Sequence, residues 1–144
     1  MKEQEIIAAV KDMIRKFDSV FVMATVSAGD RPHVRYMAGV AMDEPFTLYM
    51  QTFYDTRKVD DLIANPHVSL LLAKPDWTQW VTILGHAVIE TNSQKKREIF
   101  DRIPVSGAYF SGPDDPNYGV IVMTVDKLEL WMGQRQREPF VAKL

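Results

Sequence analysis

The sequence contains no cysteine, and this absence excludes three kinds of chemistry. A disulfide framework, a thiolate metal site and a cysteine nucleophile all need that residue. The sequence also lacks any run approaching the ~18 consecutive apolar residues of a membrane span. Residues 1–5 turn acidic at once and lack the apolar stretch of a signal peptide. These absences predict a soluble, cytoplasmic protein that does not contact a membrane.

Neither sign of charge dominates, because 17 lysines and arginines face 19 aspartates and glutamates. A nucleic-acid-binding protein usually carries a clear basic excess, so no nucleic-acid partner is predicted. The chain is 47% hydrophobic and 25% charged, which is ordinary for a globular protein and excludes a wholly disordered one. With 144 residues, the sequence predicts a single domain spanning residues 1–144.

Apolar periodicity predicts about three helices. Apolar residues three and four positions apart form one stripe over residues 3–17. A short helix over residues 56–64 ends at Asn65-Pro66, and a third over residues 93–103 begins with Ser93 as its N-cap. The segment between this third helix and residue 118 is predicted to be a loop.

Segments rich in β-branched and aromatic residues predict six or seven strands. The segments are residues 19–28, 33–42, 46–52, 67–73, 79–91, 120–125 and 128–132. Short links predict that the first three form a meander and the last two a closing hairpin, and Gly85 predicts a bulge or barrel corner. The chain is therefore predicted to be mainly β, an antiparallel barrel with peripheral helices.

Motifs of the common enzyme classes are missing. There is no Gly-x-Ser-x-Gly elbow, no phosphate-binding P-loop and no dinucleotide glycine fingerprint. His33, His67 and His86 are too far apart in sequence to form a zinc motif, so they are interpreted as ordinary surface or strand histidines. No metal is predicted, and the sequence does not identify a catalytic residue.

The segment from Thr52 to Lys58 combines hydroxyls, a guanidinium and an ammonium where a strand gives way to a helix. Free backbone N–H groups and the positive end of the helix dipole favour anions at such a place. Arginine can grip a phosphate with two hydrogen bonds, and lysine adds a point charge. The alternative is a solvated helix start capped by Asp55 or a threonine.

Arg35 lies in the middle of an otherwise apolar strand. A buried, unpaired charge is costly, so this side chain must reach water, an anion or a carboxylate. Its partner is predicted to be an anion; the alternatives are the solvent face of the strand, or pairing with Asp43 or Glu44.

Aromatic residues are frequent in the second half of the chain and can line a flat apolar cleft. The alternatives are core packing and an oligomer interface, where tryptophan and tyrosine are enriched. The residues are Trp77, Trp80, Tyr109, Phe110, Tyr118 and Trp131.

These motifs resemble the FMN-binding split-barrel proteins, the pyridoxine/pyridoxamine 5′-phosphate oxidase-like group, and within it the short general-stress-protein type. Arg35 matches a phosphate-binding arginine of the second strand, and Thr52 with Thr56-Arg57-Lys58 matches the spacing of the next element. Residues 59–70, with Asn65-Pro66, are similar to the helix and strand that follow, and residues 129–133 resemble the closing strand.

The resemblance implies a six- to seven-stranded antiparallel split β-barrel that forms a homodimer with FMN at the subunit interface. It implies that the phosphate and ribityl end is held by Arg35, Thr52, Thr56, Arg57 and Lys58. It places Tyr36 and Met37 along the flavin ring, and Trp131 over the ring from the other subunit. Gln79 stands one position from where a flavin-contacting glutamine is expected.

The implied activity is a flavin-dependent redox reaction on an unidentified small molecule. The alternatives are a non-enzymatic flavin carrier or sensor, and a split barrel binding a deazaflavin or haem. The oxidases of the group end in an Arg-x-His that grips the pyridoxal substrate, whereas Arg137 is followed here by Glu138 and Pro139. Oxidation of vitamin B6 phosphates is therefore not predicted.

Overall fold

A computed structural model describes all 144 residues, which form four helices and eight strands. The helices are α1 (Glu3–Lys16), α2 (Arg57–Ala64), α3 (Ser93–Arg102) and α4 (Ser106–Tyr109). The strands are β1 (Val20–Val26), β2 (Pro32–Ala38), β3 (Val40–Asp43), β4 (Thr47–Phe53), β5 (His67–Ala73), β6 (Trp80–Ile89), β7 (Tyr118–Trp131) and β8 (Phe140–Lys143). The fold is mainly β, as predicted.

All strands belong to one antiparallel sheet, which is curled into a half-barrel. The strand order is β2-β1-β5-β6-β7-β4-β3, and β8 pairs with β7 beside this path. The predicted meander is wrong, because its second strand, residues 33–42, is divided into β2, which pairs with β1, and β3, which pairs with β4 at the opposite edge of the sheet. Gly39 separates β2 from β3 with φ of +83°, and a Cβ there would lie 2.5 Å from Cγ2 of Ile103. At this bend the chain passes directly from β2, one edge strand of the sheet, to β3, the other edge strand. The two edges of the curled sheet are therefore joined there by the backbone itself.

The predicted closing hairpin is also wrong, because residues 118–131 form one long strand. Asp126 is an extra residue in β7, since Leu84 pairs with Lys127 whereas Gly85 pairs with Val125. The polar Asp126-Lys127 pair therefore marks a β-bulge rather than a turn. The bulge predicted at Gly85 is confirmed, and a Cβ at that glycine would lie 2.1 Å from the backbone oxygen of Thr124.

Three smaller features also differ from prediction. The predicted loop contains the short helix α4, and β8 follows β7 where no strand was expected. Asn92, rather than Ser93, caps α3, because its side-chain oxygen accepts a hydrogen bond of 3.0 Å from the backbone N–H of Lys95. Asn92 stands three residues before that N–H, which is the N-cap spacing.

The core lies inside the curl of the sheet, where α1 covers it with the buried side chains of Ile6, Val10 and Ile14. A second, smaller cluster packs α3 and the segment after it against the outside of β4 and β7, around Tyr118 and Phe110. No helix is long and apolar enough to cross a membrane. The junction between β4 and α2 lies beside this second cluster and carries the predicted anion-binding residues.

Candidate functional site

Hydroxyl groups and an ammonium converge where β4 passes into α2. The Nζ of Lys58 donates to Oγ1 of Thr52 at 3.2 Å and to Oγ1 of Thr56 at 3.1 Å. The two threonine oxygens lie 3.2 Å apart. The structure thus brings together three of the residues predicted from sequence.

The start of α2 has no side-chain cap. Thr56 donates its hydroxyl to the backbone oxygen of Phe53 at 2.8 Å, and Asp55 accepts a hydrogen bond of 3.1 Å from the amide of Asn117. The predicted alternative, a helix capped by Asp55 or a threonine, is therefore wrong. The first N–H groups of α2 lack a side-chain acceptor, as expected of an anion-binding helix start.

Positive charge is concentrated at this junction. Burial lowers the pKa of Lys58, and the positive charge of Arg35 lowers it further. Burial likewise lowers the pKa of Arg35; Asp61 opposes this shift, and the charge of the exposed Arg57 adds to it. Burying cations beside other cations costs free energy in the folded state. An anion bound at this junction would offset part of that cost.

Arg35 is held on the inner side of β2 by a neighbouring strand and by α2. Its guanidinium donates to Oγ1 of Thr25 at 2.8 Å and lies 3.7 Å from a carboxylate oxygen of Asp61. The alternative pairing of Arg35 with Asp43 or Glu44 is wrong, because Asp43 pairs with Lys95 and Arg102, and Glu44 pairs with Lys11 and Arg15.

Asp61 is a site residue that the sequence reasoning missed. Its buried carboxylate accepts a hydrogen bond of 2.7 Å from Thr25 and lies 2.8 Å from Nδ1 of His33. Burial by itself would raise the pKa of Asp61, but the hydrogen bonds from His33 and Thr25 and the charges of His33 and Arg35 together lower it. The available signal was a charged residue beside Leu62 on the buried face of α2.

His33 therefore contributes to holding Arg35 in place through Asp61. His86 pairs with Asp126 at 2.9 Å on the surface, and neither histidine has two further ligands beside it. His33 and His86 thus serve as hydrogen-bonding residues of their strands, and only the backbone of His67 makes such a bond.

An open cavity of about 250 Å³ adjoins the cationic junction. Four of the predicted site residues line it: Tyr36, Met37, Thr52 and Lys58. The remaining wall is mainly apolar and is formed by Val20, Ala38, Gln51, Phe53, Tyr109 and Phe110. The cavity thus has one cationic end and flat aromatic sides.

Two predicted site residues lie at the other end of the molecule. Trp131 stacks on Trp80, with ring centroids 5.9 Å apart and planes at 12°. Thr52 pairs with Gly119, and Trp131 is twelve residues further along β7, roughly 40 Å of extended strand away. Gln79 directly precedes Trp80, so a single chain does not bring Gln79 or Trp131 to the cavity.

The predicted aromatic cleft is only partly formed. Tyr109 and Phe110 line the cavity, and Tyr118 packs beneath it against Phe110 with ring centroids 4.8 Å apart. Trp77 lies on an exposed turn and takes no part in the stack of the other two tryptophans. The aromatic residues thus divide between the cavity and the far end of the sheet.

Fold and site together define a split-barrel protein with a cluster of cationic and hydroxyl side chains beside a mainly apolar cavity. The sequence model of the pyridoxamine 5′-phosphate oxidase family matches residues 6–132. The chain therefore belongs to the pyridoxamine 5′-phosphate oxidase family.

Relatives within this family differ in length. General stress protein 26 of Bacillus subtilis is 28% identical, and the match covers 100% of both chains. A pyridoxine/pyridoxamine 5′-phosphate oxidase of Acinetobacter baumannii is 34% identical over 63% of this chain, but the match covers only 42% of that protein. The chain thus matches the short stress-protein type over its full length and the oxidases over a part of theirs.

Solved structures of other proteins share the fold of this chain. General Stress Protein 26 from Bacillus anthracis superposes with a TM-score of 0.78 at 25% identity, covering 97% of this chain and 99% of that one. A heme binding protein from Mycobacterium smegmatis shares the fold at a TM-score of 0.70 and 16% identity, covering 91% of this chain and 55% of that one. The fold alone therefore does not select the cofactor.

Proposed function

We propose that this protein is an FMN-binding flavoprotein that acts as an FMN-dependent oxidoreductase on a small molecule. The observation that carries the proposal is the convergence of Lys58, Thr52 and Thr56 at an uncapped helix start, directly beside a cavity with flat apolar walls. A ligand that fits both parts is anionic at one end and flat and largely apolar at the other. FMN, with its phosphate and its isoalloxazine ring, has this form.

The donors at the junction suit a phosphate dianion. Lys58 supplies an ammonium, and the exposed Arg57 supplies a guanidinium free to make two parallel hydrogen bonds. Thr52 and Thr56 supply hydroxyls, whose protons would turn from the backbone oxygen of Phe53 to the phosphate. Arg35 adds a further positive charge, held in place by Thr25 and Asp61. Lys58 is already partly desolvated, so its hydrogen bonds to a bound phosphate face less competition from water.

The cavity suits the ring. In this proposal, Tyr36 and Met37 of β2 and Phe110 of the α4 segment form its walls. FMN supplies the electron transfer when it is bound, so the chain needs to bind, orient and shield the cofactor rather than provide a nucleophile. This accounts for the absence of a recognisable acid–base pair or nucleophile motif in the sequence.

A homodimer completes the proposed site. The outward face of β1, β2 and β5 exposes large apolar side chains, with Tyr36 at 75% and Val34 at 68% exposure, together with Leu71. Tyr36 belongs both to this face and to the cavity wall. A second copy of the chain covering this face would bury apolar surface and could bring its own Trp131 and Gln79 to the ring edge, which one chain alone cannot do.

The proposed substrate is not a vitamin B6 phosphate. Arg137 is followed by Glu138 and Pro139, so the histidine of the oxidase substrate clamp is missing. Glu138 places a negative charge where a phosphorylated ligand needs a donor, and a proline has no backbone N–H to offer.

The absorption spectrum of the purified protein tests the proposed cofactor, with the mass of any small molecule released on denaturation. Bound FMN gives flavin bands at roughly 370 and 450 nm, a property of the cofactor itself. A haem or deazaflavin spectrum, or a colourless protein that fails to take up added FMN, would overturn the proposal. Turnover of reduced nicotinamide cofactor with an artificial electron acceptor then separates an oxidoreductase from a carrier or sensor.

A further inference from the structure

One buried polar side chain in the cavity wall has no role in the proposed phosphate site. Gln51 of β4 is 8% exposed and lies next to Thr52. Its amide nitrogen donates to Oγ of Ser106 at 2.6 Å and to the hydroxyl of Tyr118 at 2.9 Å. These two bonds tie β4 to α4 and to β7.

The orientation of this amide follows from where the two hydroxyl protons go. Ser106 donates its own proton to the backbone oxygen of Ile103 at 2.7 Å, and Tyr118 donates its proton to the backbone oxygen of Lys96 at 3.2 Å. Each hydroxyl can therefore only accept from Gln51, which requires that the NH₂ group, and not the oxygen, faces them. The flipped amide would place an acceptor against two acceptors.

The amide oxygen of Gln51 consequently points away from its anchors. No protein donor bonds to it. Every fully buried side-chain oxygen of the chain has a hydrogen-bond partner, so this unpaired oxygen is not fully buried. Because Gln51 lines the cavity, we infer that the oxygen faces it. It is a fixed hydrogen-bond acceptor in a largely apolar wall. A ligand filling the cavity must offer it an N–H or O–H, or leave it unsatisfied at a cost.

This acceptor discriminates between ligand classes. Haem presents methyl, vinyl and carboxylate groups at its edge and keeps its four nitrogens on the central iron, so it offers no N–H donor. The oxidised isoalloxazine ring carries one ring N–H, at N3, between two carbonyl groups. We propose that the amide oxygen of Gln51 accepts a hydrogen bond from this N3–H and is a specificity-determining contact of the cavity, an inference that rests on the proposed binding of FMN.

The test compares FMN with its 3-methyl derivative, which lacks the N–H, by fluorescence titration of the wild type and Gln51→Met. Methionine has a similar size but no amide. Wild type should bind FMN about tenfold more tightly than 3-methyl-FMN, as expected for one hydrogen bond, and Gln51→Met should bind the two with nearly equal affinity. If Gln51→Met keeps the wild-type preference, the preference arises elsewhere and the inference is wrong.

Folding of the variant is checked by thermal unfolding, and the structure favours its survival. Ser106 and Tyr118 each keep their bond to a backbone oxygen when the amide is removed, so no buried donor is left without a partner. Ser106→Ala is the matched control, because it removes one anchor but leaves the amide oxygen and its Tyr118 anchor; it should retain most of the preference for FMN.

Failure of this inference differs from failure of the proposed function. Wild-type protein that binds FMN and 3-methyl-FMN equally well contradicts the role of Gln51 alone. Wild-type protein that binds neither contradicts FMN binding itself.

Discussion

Replacing Lys58 with methionine tests the proposed phosphate site most selectively. Methionine keeps most of the apolar stem of the side chain, so the packing beside Thr52 changes little, whereas the ammonium is lost. The variant leaves the hydroxyls of Thr52 and Thr56 bonded to the backbone oxygen of Phe53. Its effect therefore reports the charge rather than the integrity of the junction.

The expected magnitude follows from the position of the ammonium. Lys58 is partly buried and its pKa is lowered by that burial, so in the proposed complex it would contact the phosphate in a place where water screens the charges incompletely. A hydrogen bond to a charged group contributes about 1.5–3 kcal/mol. Lys58→Met should accordingly weaken FMN binding by about 10- to 150-fold.

Riboflavin supplies the internal comparison, because it has the same ring and ribityl chain but no phosphate. The affinity for riboflavin should change much less than that for FMN in equilibrium titrations followed by flavin fluorescence. Lys2→Met, an exposed lysine at the start of α1, is the control and should leave both affinities unchanged. Equal weakening of FMN and riboflavin in Lys58→Met would refute a phosphate contact.

Three further predictions concern Arg35, the subunit interface and the substrate. Asp61→Asn removes the carboxylate that faces Arg35 and should weaken the binding of FMN more than that of riboflavin. The pKa of Asp61 is lowered in the folded state, so its charge stabilises the fold. In urea unfolding series, the stability advantage of wild type over this variant should be complete above about pH 4 and shrink at lower pH. Tyr36→Glu places a charge on the exposed apolar face and should convert a dimer, with twice the mass of one chain in sedimentation, into monomers, whereas an unchanged dimer would exclude this face. An ordinary enzyme turns over roughly once per second or faster, and a missing charged contact costs about 2–5 kcal/mol. FMN-loaded protein should therefore oxidise pyridoxamine 5′-phosphate at least about thirtyfold more slowly than once per second. Turnover at the ordinary rate would show that another group replaces the missing histidine.

Local pattern predicted most of the elements, because their signals are contained in short segments. The stripe from Ile6 to Phe17 and the stop at Asn65-Pro66 mark α1 and α2 closely. The hydroxyls and cations from Thr52 to Lys58 also come together through local geometry, since a strand end and a helix start lie within seven residues. The clustering of these side chains at the junction could therefore be predicted from the sequence, whereas anion binding there stays a prediction.

Long-range pairing could not be predicted in the same way. The link at Gly39 is as short as a hairpin turn, but its left-handed backbone sends β3 to the far edge of a curled sheet. The polar Asp126 suggests a turn in the sequence, but a β-bulge accommodates a polar, unpaired residue equally well. In both cases the decisive partner is a strand distant in sequence.

The roles of Asp61 and Gln51 likewise depend on partners far along the chain. Asp61 meets Thr25 and His33, and Gln51 meets Ser106 and Tyr118. No motif spacing links these positions, so only the packed structure reveals that one orients Arg35 and that the other leaves an acceptor in the cavity wall.

A crystal structure of the protein grown with FMN would show where the cofactor binds. We expect a phosphate within hydrogen-bond distance of Lys58 and Arg57, a ring in the cavity beside Gln51, and Trp131 of a second copy at the ring edge. FMN bound at another place, or a phosphate without contact to the start of α2, would contradict the proposed site.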